Sequence, residues 1–179
     1  MLPRDEIETI VAKYNVANYR WIKGADIQVK QWVRMKCRFG CSSYGKKGGC
    51  PPAVPSVAEC REFFSEYENA LVLHLQAKFE NPEDRAKWSR ENNKKLLPLE
   101  RDVFLAGHPK AFLLFMDECR LCKDCPGTRV DCKNLAMARP CPEAFAVDVF
   151  STVKSVGLSI DVLTDYEATM NRFALLMVE

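Results

Sequence analysis

The chain has 179 residues, of which 47% are apolar and 28% charged, and its net charge is +2. This length suits one domain whose hydrophobic core folds without metal or disulfides, so a bound metal is expected to serve function. The near-neutral charge gives no case for binding nucleic acid or a membrane surface, and no apolar run approaches the roughly 18 residues that span a bilayer.

Nine cysteines are many for a chain of this length, and their odd number and clustered spacing argue against a disulfide framework. The first residues lack the basic start, apolar run and cleavage site of a secretory signal. We therefore predict a reducing cytoplasm, where thiols stay available for metal. Exposed thiol-bound metal is sensitive to oxygen, which favours an anaerobic setting.

The first predicted element is an amphipathic helix over residues 3–16, with apolar residues three and four apart and acidic residues in its first turn. Residues 26–35 are more strand-like and lead to the first cysteines. Cys37, Cys41 and Cys50 follow in a glycine-rich stretch, where the backbone can turn sharply and pass close to an inorganic core. This stretch predicts a first metal loop over residues 37–60.

The fourth ligand of this first loop has two interpretations. Ser56 and Glu59 form a capping-box pattern that starts a helix over residues 57–68. Cys60 lies in the first turn of that helix, near enough to reach back to the loop, and we assign it as the ligand. It also shares a face with apolar residues of the helix, so a buried cysteine packed as a small hydrophobe is the alternative.

Three further elements lead to the second cysteine loop. Residues 70–79 alternate between apolar and polar side chains, which predicts a half-buried strand. Residues 81–107 begin with an asparagine cap, a proline and acidic residues and predict a helix, which Pro98 should kink or break into two. Residues 111–116 form a short apolar run, which predicts a central strand that ends at the loop.

The second metal loop, residues 119–141, carries the strongest signal in the chain. It contains a Cys-x2-Cys-x2-Cys triplet, which is typical of 4Fe–4S ligation and unusual for structural zinc, formed by Cys119, Cys122 and Cys125. We assign Cys132 as the fourth ligand and keep Cys141 as the runner-up. Pro142 follows Cys141, and in bacterial ferredoxins the Cys-Pro cysteine commonly serves the other of two clusters, so a crossed arrangement stays open.

After the loop, residues 143–156 predict an amphipathic helix that closes at Gly157. Residues 158–163 and 172–178 predict a terminal pair of antiparallel strands. The order of elements indicates an α+β fold: a single iron–sulfur domain over residues 1–179, with a largely antiparallel sheet, helices on one face and two cysteine-rich metal loops.

We thus predict two 4Fe–4S clusters, bound by Cys37, Cys41, Cys50 and Cys60 in one case and by Cys119, Cys122, Cys125 and Cys132 in the other. Zinc is the alternative metal. Basic residues flank both groups: Arg34, Lys36, Arg38, Lys46, Lys47, Arg120, Lys123, Arg129, Lys133 and Arg139. They either offset the negative charge of a cluster, dock an acidic electron donor, or form an ordinary solvated face.

These motifs resemble a cysteine-rich "predicted metal-binding" family of unassigned function from anaerobic prokaryotes. The matching residues are Cys37 to Cys41, Tyr44-Gly45, Cys50-Pro51-Pro52, the Cys119, Cys122 and Cys125 triplet, Cys132, Ala138-Arg139-Pro140, Glu143-Ala144 and Asp148-Val149. Members of the family often carry serine where this chain has Cys141, which favours Cys132 as the ligand of the second cluster. The resemblance implies metal binding and supplies no reaction.

Three functions are compatible with the cysteine pattern. The leading hypothesis is a small iron–sulfur protein that passes single electrons between a donor, such as a ferredoxin, flavodoxin or reductase, and a partner enzyme. The second is an enzyme or reductive activator in which one cluster binds substrate or cofactor directly. The third is a structural zinc protein or metal carrier.

Overall fold

A computed structural model describes residues 4–16, 18–165 and 168–179. These residues form five helices, namely α1 (Arg4–Lys13), α2 (Gln31–Gly40), α3 (Val57–Ser65), α4 (Pro82–Leu105) and α5 (Val149–Ser155). They also form four strands, β1 (Asn18–Ile22), β2 (Ala70–Ala77), β3 (Phe112–Leu114) and β4 (Met170–Met177). None of the helices in these described ranges is long and apolar enough to cross a membrane.

The four strands form one sheet in the order β1-β2-β4-β3, and every neighbouring pair is antiparallel. β4 pairs along its whole length with β2, from Ala70 opposite Met177 to Ala77 opposite Met170. Its other edge pairs with β3, where Leu113 lies opposite Leu176. The predicted α+β class and antiparallel sheet are thus confirmed, and β4 lies in the interior of the sheet.

Helices cover both faces of the sheet, whereas we expected them on one. Leu71 and Leu73 of β2 pack in a cluster with apolar residues of α1 and α4. Val72, which points to the opposite face, packs in a second cluster with apolar residues of α3 and α5. The first four residues of β2 are all buried, because both faces of this half of the strand are covered. The predicted half-buried alternation holds only for the end of the strand.

Local signals placed the starts of α3 and α4 correctly. The Ser56 hydroxyl accepts a hydrogen bond from the Glu59 N–H at 3.2 Å, and the Glu59 carboxylate accepts one from the Ser56 N–H at 2.7 Å. This is the predicted capping box at the start of α3. Asn81 caps α4 in the same manner by accepting from the Asp84 N–H at 2.8 Å. The predicted first helix is α1, and its expected start at residue 3 lies outside the described residues.

Two predicted elements of the first half differ from the structure. Residues 31–35 belong to α2 rather than to a strand, and only Val29 of the predicted strand forms an isolated bridge, with Val147. α4 is one helix of 24 residues that continues through Pro98. Leu96 and Leu99 on either side of the proline are both fully buried against the sheet, so the packing of both halves holds the helix together.

The second half contains three further differences. The strand predicted over residues 111–116 is β3, which lies at the edge of the sheet instead of its centre. The helix predicted over residues 143–156 is divided into a 3-10 turn, Glu143–Phe145, and α5, because Ala146 adopts a left-handed conformation with φ of 58°. Residues 158–163 form no strand within the described part of the chain: Leu158 and Ile160 pack in the core, whereas Val162 is exposed.

Candidate metal centre

The first group of thiols lies where α2 ends. Cys37 occupies the last turn of the helix, and Cys41 follows it directly, with its N–H donating to the Cys37 carbonyl at 3.4 Å. The chain then turns through Gly45, whose N–H donates to the Pro51 carbonyl at 2.9 Å, and this turn returns Cys50 towards the helix. Cys41 is exposed, whereas Cys50 is buried.

The segment that contains Cys141 packs against both ends of this loop. The Cys37 thiol lies 3.8 Å from the Glu143 carbonyl oxygen, and Arg34 of α2 donates to the Ala144 carbonyl at 2.9 Å. On the other side, the Gly49 backbone is so close that a Cβ at this position would lie 3.3 Å from the Arg139 carbonyl oxygen. Since Gly49 precedes Cys50, these contacts bring Cys141 next to the first group.

Electrostatic effects on the thiols reflect the same grouping. Burial raises the pKa of Cys50 to about 12, with further contributions from the Glu118 carboxylate and from the thiols of Cys41, Cys37 and Cys119. Burial also raises the pKa of Cys141 well above its usual value, and the Cys50 thiol adds to this increase. Both thiols are thus held neutral until a cation or metal compensates the charge of the thiolate.

Cys60, which we assigned to the first group, lies elsewhere. Its side chain is fully buried in the hydrophobic cluster that contains Val57 and Phe64. The thiol donates to the Pro55 carbonyl at 3.7 Å. Burial raises the pKa of Cys60, while the neighbouring Arg34 guanidinium acts in the opposite direction. The structure therefore does not bring Cys60 to the other thiols, and its environment fits the alternative of a cysteine packed as a small hydrophobe.

The second group consists of four half-buried thiols in the loop after β3, those of Cys119, Cys122, Cys125 and Cys132. Burial raises the pKa of Cys119, and the thiols of the other three members add to the increase, so the four lie within electrostatic reach of one another. The Asn134 amide donates to the Cys122 sulfur at 2.9 Å. An N–H donor already faces a sulfur that becomes negatively charged once it binds metal.

The two loops touch through glycines of the first loop. The Gly48 N–H donates to the Cys125 sulfur at 3.5 Å. A Cβ at Gly48 would lie 2.5 Å from the Thr128 carbonyl oxygen, so only glycine allows this approach of the two backbones. Gly127 of the second loop, with φ of 85°, lies close to the Gly45 carbonyl oxygen in the same region. The two thiol groups are consequently neighbours joined by a backbone contact.

A buried ion pair fixes the chain between Cys132 and Cys141. Arg139 donates from Nε to both Glu100 oxygens at 3.0 Å and from Nη2 at 2.9 Å. Glu100, which is 7% exposed, also accepts from the Leu113 N–H of β3 at 2.9 Å. The Phe115 N–H donates to the Pro140 carbonyl at 2.8 Å. α4 and the edge of the sheet therefore position the last part of the second loop.

Several basic residues near the thiols already have structural partners. Arg139 pairs with Glu100, Arg34 binds two backbone carbonyls, and Arg129 donates to the Leu135 carbonyl at 2.7 Å. Arg120 pairs with Glu118 at 2.8 Å and is largely exposed. Arg34, Arg129 and Arg139 thus position the loops through contacts with backbone carbonyls, in addition to placing positive charge near the sulfurs.

All nine cysteines are free thiols, and thiolates are ligands that favour zinc, copper(I) and iron–sulfur clusters. In the described ranges, no three histidine, cysteine or acidic side chains lie close enough together to hold a single metal ion. The donor chemistry of the two thiol groups nevertheless fits a sulfur-ligated metal centre.

Sequence reasoning missed two features of this centre, the Asn134 donor and the Gly48 contact, and left a third open, the position of Cys141 beside the first group. Only the last had a signal in the sequence, the Cys-Pro pair at Cys141. Asn134 acts through a contact within the second loop and Gly48 through a contact between the loops, and spacing reports neither.

Comparison with known proteins identifies a family. A family model described as "Predicted metal-binding protein (DUF2284)" matches residues 20–178. No curated protein matches the chain, and neither does any solved structure. The matched range includes all nine cysteines.

Proposed function

The chain belongs to this predicted metal-binding family, and from that premise we propose that it is an iron–sulfur protein with two 4Fe–4S clusters, which carries single electrons between a redox partner and an enzyme. A 4Fe–4S cluster supplies a one-electron redox change. A donor of the ferredoxin, flavodoxin or reductase class would give one electron to a cluster, and the reduced cluster would pass this electron to the partner enzyme.

The observation that carries this proposal is the second thiol group. The thiols of Cys122, Cys125 and Cys132 lie within electrostatic reach of Cys119 in one loop, and Cys122 and Cys125 accept N–H hydrogen bonds from Asn134 and Gly48. Hydrogen bonds to sulfur stabilise the added negative charge of a reduced cluster and thereby raise its reduction potential. This arrangement of donors suits reversible electron uptake.

The surroundings of both groups also suit contact with a partner protein. Cys41 is exposed, and the thiols of the second group are half-buried, so an electron has a short path to the surface. Phe39, which lies between Cys37 and Cys41, is 79% exposed, and Val130 of the second loop is 88% exposed. Exposed apolar side chains beside a redox site are typical of surfaces that bind other proteins transiently.

The proposal is tested by anaerobic purification followed by analysis of iron, zinc and acid-labile sulfide. We expect about eight iron atoms and eight sulfides per chain. We also expect an absorption band at about 400 nm that bleaches on reduction with dithionite. A Cys122→Ser variant should lose about half of the iron, because only the second group is affected. Zinc without sulfide, in a colourless protein, would overturn the proposal.

Asn134 should set the reduction potential of the second cluster. In an Asn134→Ala variant the amide donor to Cys122 is lost, while the backbone carbonyl of residue 134 still accepts from Met137 and Ala138. We expect a potential lower by about 50 mV, since a net hydrogen bond of about 1 kcal/mol corresponds to roughly this value for one electron. A redox titration followed by electron paramagnetic resonance measures the shift.

The matched control for this variant is Asn92→Ala, because the Asn92 amide donates to the Trp88 carbonyl within α4. Its potential should equal that of the wild-type protein. An unchanged potential in Asn134→Ala would show that the Asn134 amide does not act on the cluster.

A further inference from the structure

We infer that Cys141, which lies at the end of the second loop, is the fourth ligand of the first metal site together with Cys37, Cys41 and Cys50. Cys60 is a core residue and takes no part in metal binding. The inference rests on the proposed function for the type of metal, but the set of four thiols is argued from the structure alone.

The first step concerns the contact between α2 and the residues after Cys141. The Lys30 N–H, immediately before α2, donates to the Ala146 carbonyl at 2.8 Å, and Arg34 one turn later donates to Ala144 at 2.9 Å. A further turn along the helix, the Cys37 thiol reaches the Glu143 carbonyl oxygen. The contacts thus approach Cys141 in steps, and α2 leads Cys37 to within two residues of it.

The second step concerns the part of the first loop that leads into Cys50. Gly49 lies against Arg139 and Pro140, and a Cβ at Gly49 would be 3.6 Å from the Pro140 Cα. Cys50 and Cys141 are the next residues of these two touching segments. Both are buried, at 6% and 8% exposure, so their thiols share an interior environment. A pair of adjacent buried thiols next to two further thiols is a suitable set of ligands for a sulfur-bound metal centre.

The third step concerns Cys60, whose place is explained without metal. It is fully buried with Val57 and Phe64 of α3, and its thiol donates to the Pro55 carbonyl. The Arg34 guanidinium lies beside it and is itself tied to the Pro55 and Ala144 carbonyls. The Arg34 side chain therefore lies between α2 and α3. Cys60 is already packed among apolar side chains and hydrogen-bonded at this place.

A matched pair of variants tests the inference, namely Cys141→Ala and Cys60→Ala, both of which remove one thiol from a buried position. We expect anaerobically purified Cys141→Ala to retain about half of the wild-type iron and sulfide, because the first site loses a ligand and the second keeps all four. Cys60→Ala should retain all of it. Circular dichroism of both variants identifies any loss of fold, and a Cys60→Val variant fills the buried space if the alanine variant is unstable.

A second measurement is independent of iron–sulfur chemistry. Titration of each protein with Cd²⁺ alone, followed through the ultraviolet absorbance of cadmium–thiolate bonds, reports the number of thiolates that bind metal. We expect fewer such bonds in Cys141→Ala and an unchanged number in Cys60→Ala. Wild-type protein without iron or sulfide would overturn the proposed function, while this cadmium result would still support the ligand set. Full metal binding by Cys141→Ala, or its loss in a folded Cys60 variant, would overturn the inference.

Discussion

Replacing Glu100 by alanine is expected to lower the free energy of unfolding by about 3–5 kcal/mol, the usual cost of breaking a buried ion pair. The Glu100 carboxylate accepts hydrogen bonds from two nitrogens of Arg139 and from the Leu113 N–H. In the alanine variant these donors lose this acceptor. The change also releases the chain between Cys132 and Cys141 from α4. Urea unfolding followed by circular dichroism under anaerobic, reducing conditions measures the effect.

Two further variants distinguish the contribution of the Glu100 charge from a general loss of stability. Glu100→Gln retains an acceptor for the Leu113 N–H but loses the charge, so we expect a smaller destabilisation than in Glu100→Ala. Arg120→Ala removes the pair with Glu118, in which the arginine is exposed, and surface pairs contribute about 0–1 kcal/mol. If Glu100→Ala and Arg120→Ala lower the free energy of unfolding by the same amount, the ion pair of Glu100 with Arg139 does not fix the second loop.

A Gly48→Ala variant is expected to lose most of its bound metal while its helices and sheet remain folded. The new Cβ would lie 2.5 Å from the Thr128 carbonyl oxygen, and backbone cannot move aside as a flexible side chain can. The two loops must separate, which breaks the hydrogen bond from the Gly48 N–H to the Cys125 sulfur. Metal content per chain and far-ultraviolet circular dichroism measure the two parts of this expectation.

Gly40 provides a matched control for Gly48. It is the last residue of α2, lies between Cys37 and Cys41, and has no atom within 4 Å of where a Cβ would be. Gly40→Ala should therefore bind as much metal as the wild-type protein. Wild-type metal content in Gly48→Ala would contradict the role of the contact between the loops.

The sequence predicts those parts of the fold that depend on neighbouring residues. The capping box of Ser56 and Glu59 locates the start of α3, because both partners lie within one turn. α2 has no comparable cap, because the Lys30 side chain makes no capping hydrogen bond. Only Val33 of this helix is buried, and the helix is held by contacts with residues 144 and 146, which are remote in the chain. Residues 158–163 show the opposite case, in which an alternating pattern forms no strand.

The same distinction applies to the metal centre. Cys119, Cys122, Cys125 and Cys132 are near enough for the last three to act electrostatically on the first, since one loop contains them all. However, no three of these thiols, all within the described ranges, are close enough to hold one metal ion. The position of Cys141 beside Cys50 depends on the packing of Gly49 against Arg139 and Pro140, segments about 90 residues apart in the chain. Spacing favoured Cys60 for the first group because it is near in sequence. The apolar face that Cys60 shares with Val57 and Phe64 on α3 pointed to the alternative, a buried core cysteine, and this fits its surroundings in the folded protein.

The interior position of β4 has a consequence for synthesis of the protein. β4 joins β2 to β3, yet it follows both cysteine loops in the chain. While the ribosome produces the polypeptide, every cysteine has therefore been made before the strand that completes the sheet. β3 has no neighbour to pair with during this period, and thiols that become buried later are still open to oxidants. We therefore expect the thiols of the nascent chain to be oxidised more readily than those of the folded protein.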